Sequence, residues 1–209
     1  QYNIRVINMS LGDDATGSWK NSKVDQLAEK LIEKGITIVA AVGNDDKADI
    51  KPPANSPNVI SVGGWNDNNK LNGENNQLYH SSFGKTDDAL HKPELVANAI
   101  WVAAPVLPGT KEQEETKILY KLHQCPDEKL KHKILTSVTK TGISIGESEK
   151  NDVTFWRQKV KDRIQESKFI SPHYMHVDGT SFAAPIVTSV IAQMLEIQPE
   201  LTPAQLRRI

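Results

Sequence analysis

Three runs of continuous apolar residues, separated by one amphipathic segment and one loop, constrain the fold of this chain most strongly. The runs are residues 4–11, 36–42 and 58–64. Between the first two, residues 21–35 place apolar side chains at helical spacing behind a predicted capping serine, Ser22. Strands that are apolar on both faces are typical of a parallel sheet covered on both sides. The strand–helix–strand order predicts a right-handed crossover, and hence an α/β fold with a mainly parallel sheet.

Composition excludes several classes of protein. The chain has 209 residues and a formal net charge of −1, which favours one domain and gives no electrostatic reason to expect a nucleic-acid partner. No run of 18 apolar residues is present, so no membrane span is expected. The single cysteine, Cys125, rules out an intrachain disulfide, and its polar neighbours indicate an incidental residue.

The amino-acid composition changes between residues 109 and 170, which are rich in Lys and Glu. Helices are predicted around 111–123, 127–138 and 151–168, and Gly142 and Gly146 are expected to break the middle of this region. Apolar faces are formed by Ile118, Leu119 and Leu122, and by Phe155, Trp156, Val160 and Ile164. These faces favour a helical insertion over a solvated charged linker. We expect its helices to pack together and against the main domain as a lid over a cleft.

The last long apolar segment begins at "DGTSFAAPIV", residues 178–187. It predicts a buried helix that ends before Pro199, and Thr202 with Pro203 is predicted to open another. The predicted apolar stripe of the first helix comprises Ile186, Val187, Val190, Ile191, Met194 and Leu195.

Ser181 lies at the start of this helix, and two interpretations are open. The serine, or Thr180, is an ordinary helix cap, or Ser181 is a nucleophile at the positive end of the helix macrodipole. Pro185 has no N–H, so it leaves the Ser181 carbonyl without its usual helical partner. Gly179 allows a substrate backbone to come close.

Asn44 follows a buried strand in "VAAVGND", residues 39–45. The carboxyl ends of parallel strands are where such sheets build binding sites, and an asparagine amide there can donate to an oxyanion. The alternative is an ordinary Gly-Asn turn.

Taken together, the segments resemble the subtilisin-like serine proteases. The similar segments, in family order, are "NMSLG" (8–12), "AVGN" (41–44), "PANSPNVISVGG" (53–64), "YHSSFG" (79–84), "KPELVA" (92–97) and "GTSFAAPIV" (179–187). Each motif alone is weak, but six in order are specific. The resemblance implies a subtilisin-like three-layer α/β fold over residues 1–209 that carries the 109–170 insertion and is truncated at its N-terminus.

The resemblance also implies roles for individual residues. Ser181 would be the nucleophile of a serine endopeptidase, and Asn44 with the Ser181 backbone N–H would form the oxyanion hole. The implied substrate-binding residues are Ser10, Leu11 and Gly12, which would pair with an extended peptide, Ala41, Val42 and Gly43, which would line the specificity pocket, and Gly179.

The sequence departs from the family pattern in one important respect. The family's catalytic aspartate and its histidine, within a His-Gly-Thr-His motif, are not present, and none of the six histidines has the required context. His176 is close to Ser181 in sequence, but we interpret it as a strand or loop residue. We expect the missing N-terminal part of the same domain to supply both groups, and this chain alone to be inactive. Asp13 replaces a frequent glycine and adds negative charge that favours basic substrates.

Other functions remain as alternatives. A degenerate, non-catalytic subtilase acting as a protein-binding module would keep the fold without the triad. An α/β-hydrolase esterase is disfavoured because Ala183 stands where its nucleophile elbow needs a glycine. The expected partner is a polypeptide substrate, with no cofactor and no metal. The Asx-rich segment 66–76 is a conceivable calcium loop, although such segments are usually only loops.

Overall fold

Contacts within the chain define two compact units. Gln1–Val102 and Asp178–Ile209 form the first, called here the sheet unit, and Ala103–Val177 form the second, called the helical unit. The structure is a computed structural model, and it describes residues 3–47, 49–70, 72–144 and 152–209.

In the described residues, strands outnumber helices in the first half of the chain, and helices outnumber strands in the second half. The strands are β1 (Val6–Met9), β2 (Thr37–Ala41), β3 (Ile60–Asn66), β4 (Gln77–Leu78), β5 (Gly84–Lys85), β6 (His91–Lys92), β7 (Leu95–Asn98), β8 (Val102–Pro105), β9 (Phe169–Ser171) and β10 (Tyr174–Val177). The helices are α1 (Lys23–Glu33), α2 (Lys111–His123), α3 (Asp127–Thr141), α4 (Val153–Glu166), α5 (Thr180–Ile197) and α6 (Pro203–Leu206), and Trp19–Asn21 form a 3-10 turn.

The main sheet of the sheet unit is mostly parallel, as the sequence predicts. Its strand order is β1-β2-β3-β4, and β7 also pairs with β3. The β1–β2, β2–β3 and β3–β7 ladders are parallel, and only β4 runs antiparallel to its neighbour. The predicted strand–helix–strand crossover is therefore confirmed as β1-α1-β2, and β1 lies at the end of the strand order.

Helix α1 begins and ends where the sequence signals indicate. The Ser22 hydroxyl accepts the Asp25 N–H at 3.2 Å, and Gly35 follows the helix with a φ of +85°. Ala28 is buried against β2, but Leu27, which belongs to the predicted apolar face, is mostly exposed. The face that meets the sheet is narrower than the helical pattern suggests.

Alternate residues of β2 point into two separate apolar layers. Ile38 and Ala40 join the cluster that contains Ala28 of α1, whereas Val39 joins the cluster that contains Ala183 and Ala184 of α5. The sheet is thus covered on both faces, which explains why its strands are apolar throughout rather than alternating. This arrangement is the three-layer α/β fold expected from the sequence.

Helix α5 buries a face that differs from the predicted stripe. Ala183, Ala184, Val187 and Ile191 are buried against the sheet, and the small alanines allow close approach. The prediction is wrong for Ile186 and Val190, which are 40% and 51% exposed, because the contact face is centred on the two alanines. Within the described residues, α5 is the one helix that is long and apolar enough to cross a membrane by length and composition, a test that core helices also pass.

The helical unit contains its own apolar core. The predicted helices are confirmed as α2, α3 and α4, and a small sheet of order β8-β10-β9 completes the unit. The core comprises Leu119, Leu122, Cys125, Leu130, Ile134, Ile143, Trp156, Val160 and Phe169. The two predicted apolar faces therefore pack together.

Two details of the helical unit differ from or extend the sequence expectations. Cys125 is buried in the core rather than lying in a polar setting, because the turn between α2 and α3 folds inward there. Gly142 ends α3 in the left-handed conformation, as expected of a break. Gly146 and the first residue of the predicted 151–168 helix lie outside the described residues.

Charged groups are also buried in the sheet unit. The Lys92 ammonium contacts the Val59 carbonyl at 3.0 Å and the Glu94 carboxylate at 2.6 Å, and Arg207 also binds Glu94. Burial lowers the pKa of Lys92, although Glu94 opposes that shift. For Glu94, burial favours a higher pKa, but the charge of Lys92 and the hydrogen bonds with Lys92, Ser61 and Arg207 together outweigh it, so the net pKa is lowered.

Asp25, in the first turn of α1, is fully buried, and its burial changes the pKa of its carboxyl group. Burial is the main cause that raises its pKa to about 6, whereas the neighbouring Ser22 hydroxyl lowers it and the Glu29 carboxylate raises it further. A neutral carboxyl is therefore favoured there below about pH 6.

Candidate active site

Ser181 lies in the first turn of α5, and the structure shows that it does not cap the helix. The N-cap residue is Gly179, which makes no side-chain cap and has a φ of +134°. The capping interpretation of Ser181 or Thr180 is therefore wrong. The Ser181 hydroxyl instead donates to the Ser10 carbonyl at 3.4 Å, near the carboxyl end of β1.

A reciprocal contact joins the same two serines. The Ser10 hydroxyl donates to the Ser181 carbonyl at 2.7 Å. That carbonyl lacks a helical donor because Pro185, four residues later, has no N–H. Ser10 therefore satisfies the carbonyl that the proline leaves open, and this contact fixes the start of α5 to the end of β1.

Asn44 faces the same helix terminus from the loop after β2. Its Oδ1 accepts the Thr180 N–H at 2.8 Å and the Thr180 hydroxyl at 3.0 Å. Because two donors occupy the oxygen, the amide orientation is set, and the Nδ2 group remains as the donor of this side chain. Asn44 thus contacts the first turn of α5 through Thr180, and its role as an oxyanion donor stays a prediction.

Thr180 is a residue that the sequence analysis missed as part of the site. In addition to donating to Asn44, its hydroxyl accepts the Gly43 N–H at 3.3 Å. Gly43 has a φ of +115°, and a Cβ atom there would come within 2.7 Å of the Ser82 hydroxyl, so glycine is required by both conformation and space. No sequence signal separates this threonine from an ordinary helix cap.

A cleft of about 340 Å³ brings most of the predicted site residues together. It is lined by Leu11, Gly12, Ala41, Val42, Gly43, Asn44 and Ser181, together with Ser82, Thr180 and several charged residues. Ser10 and Gly179 are not among the lining residues, although Ser10 contacts Ser181 directly and Gly179 immediately precedes the helix. The cleft lies at the carboxyl ends of the parallel strands β1 and β2, where open α/β sheets bind ligands.

The lining of the cleft is strongly acidic. Four aspartates face it, namely Asp13, Asp14, Asp45 and Asp49, and Lys51 is the one basic residue in the described lining. Lys51 lies 3.7 Å from Asp14 and 3.6 Å from Asp49. Of the four aspartates, only Asp13 was singled out from the sequence, because the others read as loop residues.

No histidine lines the cleft in the described part of the chain. His176, which is close to Ser181 in sequence, lies on strand β10, in agreement with its interpretation as a strand or loop residue. Among the residues that the structure describes, no group of three or more His, Cys, Asp or Glu side chains is arranged to hold a metal ion. The segment 66–76 contains Asx turns, such as Asn68 N–H to Asn66 Oδ1 at 2.8 Å.

Comparisons with known proteins agree with this geometry. The model of the subtilase family matches residues 1–209. The serine protease AprX of Bacillus subtilis (strain 168) is 24% identical over 212 residues, which cover 99% of this chain and 37% of that protein. Subtilisin-like protease 2 of Trichophyton rubrum is 38% identical over 95 residues, which cover 45% of this chain and 20% of that protein.

Solved structures show the same fold. A cold-adapted subtilisin-like serine proteinase aligns with a TM-score of 0.51 at 18% identity, and covers 97% of this chain and 45% of its own. The prenylagaramide maturation protease PagA aligns with a TM-score of 0.55 at 19% identity, and covers 99% of this chain and 50% of its own.

The chain belongs to the subtilase family, a family of serine proteases. It spans between about a third and a half of the length of AprX and of the two solved relatives.

Proposed function

We propose that this chain carries the nucleophile and the oxyanion site of a serine endopeptidase. The observation that supports the proposal best is the pair of contacts at the start of α5. One joins Ser181 to Ser10 at the end of β1, and the other joins Thr180 to Asn44 after β2. Together they hold a serine and an amide donor at one cleft, as acyl transfer requires.

In the proposed reaction, the Ser181 oxygen attacks the carbonyl carbon of a bound peptide. The hydroxyl proton passes to a general base, and the carbonyl oxygen becomes an oxyanion. The Asn44 Nδ2 and the Ser181 backbone N–H, at the positive end of α5, are the proposed donors to that oxyanion. As the tetrahedral intermediate collapses, the C–N bond breaks and the amine leaves with the proton that the base had taken, which leaves an acyl-enzyme. Water, deprotonated by the same base, then cleaves the ester, and the proton returns to the Ser181 oxygen.

The proposed substrate is a polypeptide in extended conformation. Ser10, Leu11 and Gly12 follow β1 and would pair with it as an added strand. Ala41, Val42 and Gly43 are small or medium-sized, and they leave room in the cleft for one substrate side chain. The reaction as proposed needs no cofactor, and neither nucleic acid nor a membrane span forms part of the proposal.

The general base is the part of the machinery that the described cleft residues do not provide. We propose that the histidine and its orienting aspartate are supplied by another part of the natural polypeptide. The 209-residue chain alone should then hydrolyse peptides far more slowly than the natural polypeptide. Loss of triad members in a related enzyme leaves a residual acceleration of about 10³–10⁴ over water.

The test compares the natural polypeptide with three variants on a fluorogenic peptide. Ser181→Ala should abolish hydrolysis, and Ser189→Ala, an exposed serine on the same helix, should not change it. Asn44→Ala should lower kcat by about 10²–10³ with a smaller change in KM. Hydrolysis that survives Ser181→Ala would contradict the proposal.

A second candidate function rests on the absence of histidine from the described cleft lining. A degenerate subtilase would bind a polypeptide in this cleft without cleaving it. Labelling of the natural polypeptide with a fluorophosphonate separates the two functions, because only an activated serine reacts rapidly. Rapid labelling that Ser181→Ala removes supports the protease, whereas peptide binding without labelling supports the binding module.

A further inference from the structure

The charge of the cleft points to a particular class of substrate, an inference that rests on the proposed function. Carboxylates are the main charged groups that line the cleft, and they come from separate loops. Asp13 follows the segment after β1, whereas Asp45 follows Asn44 in the loop after β2. The charges therefore line the cleft that contains Ser181 from two loops instead of clustering on one turn.

Lys51 neutralises only part of this charge. It lies between Asp14 and Asp49, at 3.7 and 3.6 Å from their nearest oxygens. Asp13 accepts the Ala15 N–H at 3.2 Å, a backbone contact that leaves its negative charge in place. Neither Asp13 nor Asp45 forms an ion pair with a described residue, so two carboxylates remain uncompensated at the cleft.

The lining between these carboxylates is small and apolar. Ala41, Val42 and Gly43 present little side-chain volume, and the cleft offers about 340 Å³. A long aliphatic stem can pack along such a lining while its charged end reaches a carboxylate, which is how Lys and Arg side chains are usually accommodated. An acidic substrate side chain would meet like charge there.

We infer that the cleft selects polypeptides with an arginine or lysine beside the bond presented to Ser181, and that Asp45 and Asp13 are the specificity-determining residues. The ammonium or guanidinium group of the substrate would bind the two uncompensated carboxylates. Because these groups are exposed, the preference should weaken as ionic strength rises.

Equilibrium binding tests this inference without any need for turnover. The chain carrying Ser181→Ala is titrated with a fluorescent hexapeptide that contains one arginine, and with the same peptide containing citrulline, which has the shape of arginine without the charge. The arginine peptide should bind about tenfold more tightly in low salt. The ratio should fall toward one in 0.5 M salt, since screening is then strong.

Variants assign the effect to residues. Asp45→Asn should reduce the arginine-to-citrulline ratio to about threefold or less, and Asp13→Asn with Asp45→Asn should remove the preference. Asp46→Asn is the matched control, because this neighbouring aspartate is exposed and does not line the cleft. Equal binding of the two peptides, binding of neither, or an equal effect of Asp46→Asn would overturn the inference.

A separate experiment tests the proposed protease function. Hydrolysis of the matched peptides by the natural polypeptide, with and without Ser181→Ala, tests whether the site is catalytic. A charge preference in binding without Ser181-dependent hydrolysis would keep the specificity and reject the protease. Hydrolysis that prefers the citrulline peptide would keep the protease and reject the specificity.

Discussion

The core of the helical unit and the cleft of the sheet unit are assembled in different ways. The helical unit packs α2, α3 and α4, which follow one another in the chain, around an apolar core. The cleft of the sheet unit is assembled by polar contacts between residues 136 and 171 positions apart, Asn44 with Thr180 and Ser10 with Ser181. Local apolar patterns in the sequence form the core of the helical unit. The residues that contact each other at the cleft come together only when the fold is complete.

Two arginine side chains donate hydrogen bonds to carbonyls near the helix ends of the helical unit. Arg157 donates to the Leu122, His123 and Cys125 carbonyls at the end of α2, and Arg163 donates to the Thr141 carbonyl at the end of α3. The last carbonyls of a helix have no internal donors, so these arginines act as caps. These polar contacts of the helical unit therefore stabilise the ends of its own helices.

The largest effect is expected in the core of the helical unit. Ile134 is fully buried and its neighbour Leu135 is 43% exposed, on the same helix. Ile134→Ala should lower the free energy of unfolding by about 2–5 kcal/mol through lost burial and a residual cavity. Leu135→Ala should lower it by less than about 1 kcal/mol. Urea denaturation followed by circular dichroism measures both, and equal losses would break the claim that an apolar core holds this unit.

A matched pair on α5 applies the same test to the sheet unit. Ile191 is 4% exposed and Ile186 is 40% exposed. We expect Ile191→Ala to cost about 2–4 kcal/mol and Ile186→Ala about 1 kcal/mol or less. A larger loss at Ile186 in thermal unfolding would show that the sequence-predicted stripe, and not the alanine-centred face, is the one that packs.

The buried carboxyl of Asp25 predicts a pH-dependent effect. Its pKa is raised from 3.8 to about 6 in the folded state, so the folded protein holds this proton more tightly than the unfolded chain. The stability that this carboxyl contributes is present below about pH 4 and is lost as pH rises through 6. Asp25→Asn should therefore stabilise the protein by about 2–3 kcal/mol at pH 7.5 and have little effect at pH 4.

Chemical denaturation at the two pH values measures the effect of Asp25→Asn. The exposed Asp46→Asn serves as the control and should show no such difference. Destabilisation by Asp25→Asn at pH 7.5 would mean that the carboxylate is stabilised in the folded protein.

The smallest effect is expected from the threonine that links the loop after β2 to α5. Thr180→Val removes the hydroxyl that contacts Gly43 and Asn44 but keeps the shape of the side chain. We expect a fall in kcat of about tenfold with little change in KM, because the hydroxyl orients Asn44 and is not proposed to touch the substrate. Thr180→Ser should restore most of the rate, and a change confined to KM would count against a positioning role.

The sequence predicts the elements well and the contacts between them less well. Continuous apolar strands identify β1, β2 and β3, and the helical patterns of the insertion identify α2, α3 and α4. The hydrophobic pattern does not predict burial where burial depends on which element packs against a residue. Leu27, Ile186 and Val190 are apolar yet exposed. Cys125 is buried, although its neighbours in sequence are polar.

The candidate site shows the same division. The family motifs identify Ser181 and Asn44, whereas Thr180, Asp45 and Lys51 read as a helix cap and loop residues until the cleft is assembled. Their contribution depends on distances across the chain, which no local spacing encodes. The expectation that the insertion narrows access to the cleft stays a prediction.

The mutual contacts of Ser10 and Ser181 make the position of the Ser181 hydroxyl depend on one strand. In the described sheet, β1 is the last strand and its ladder is formed with β2. A slip of β1 by one residue, about 3.3 Å along its axis, would break both serine contacts. Pro185 supplies no substitute donor, so the open carbonyl of Ser181 would lose its partner. The position of this outer strand therefore fixes the position of the Ser181 hydroxyl, the proposed nucleophile.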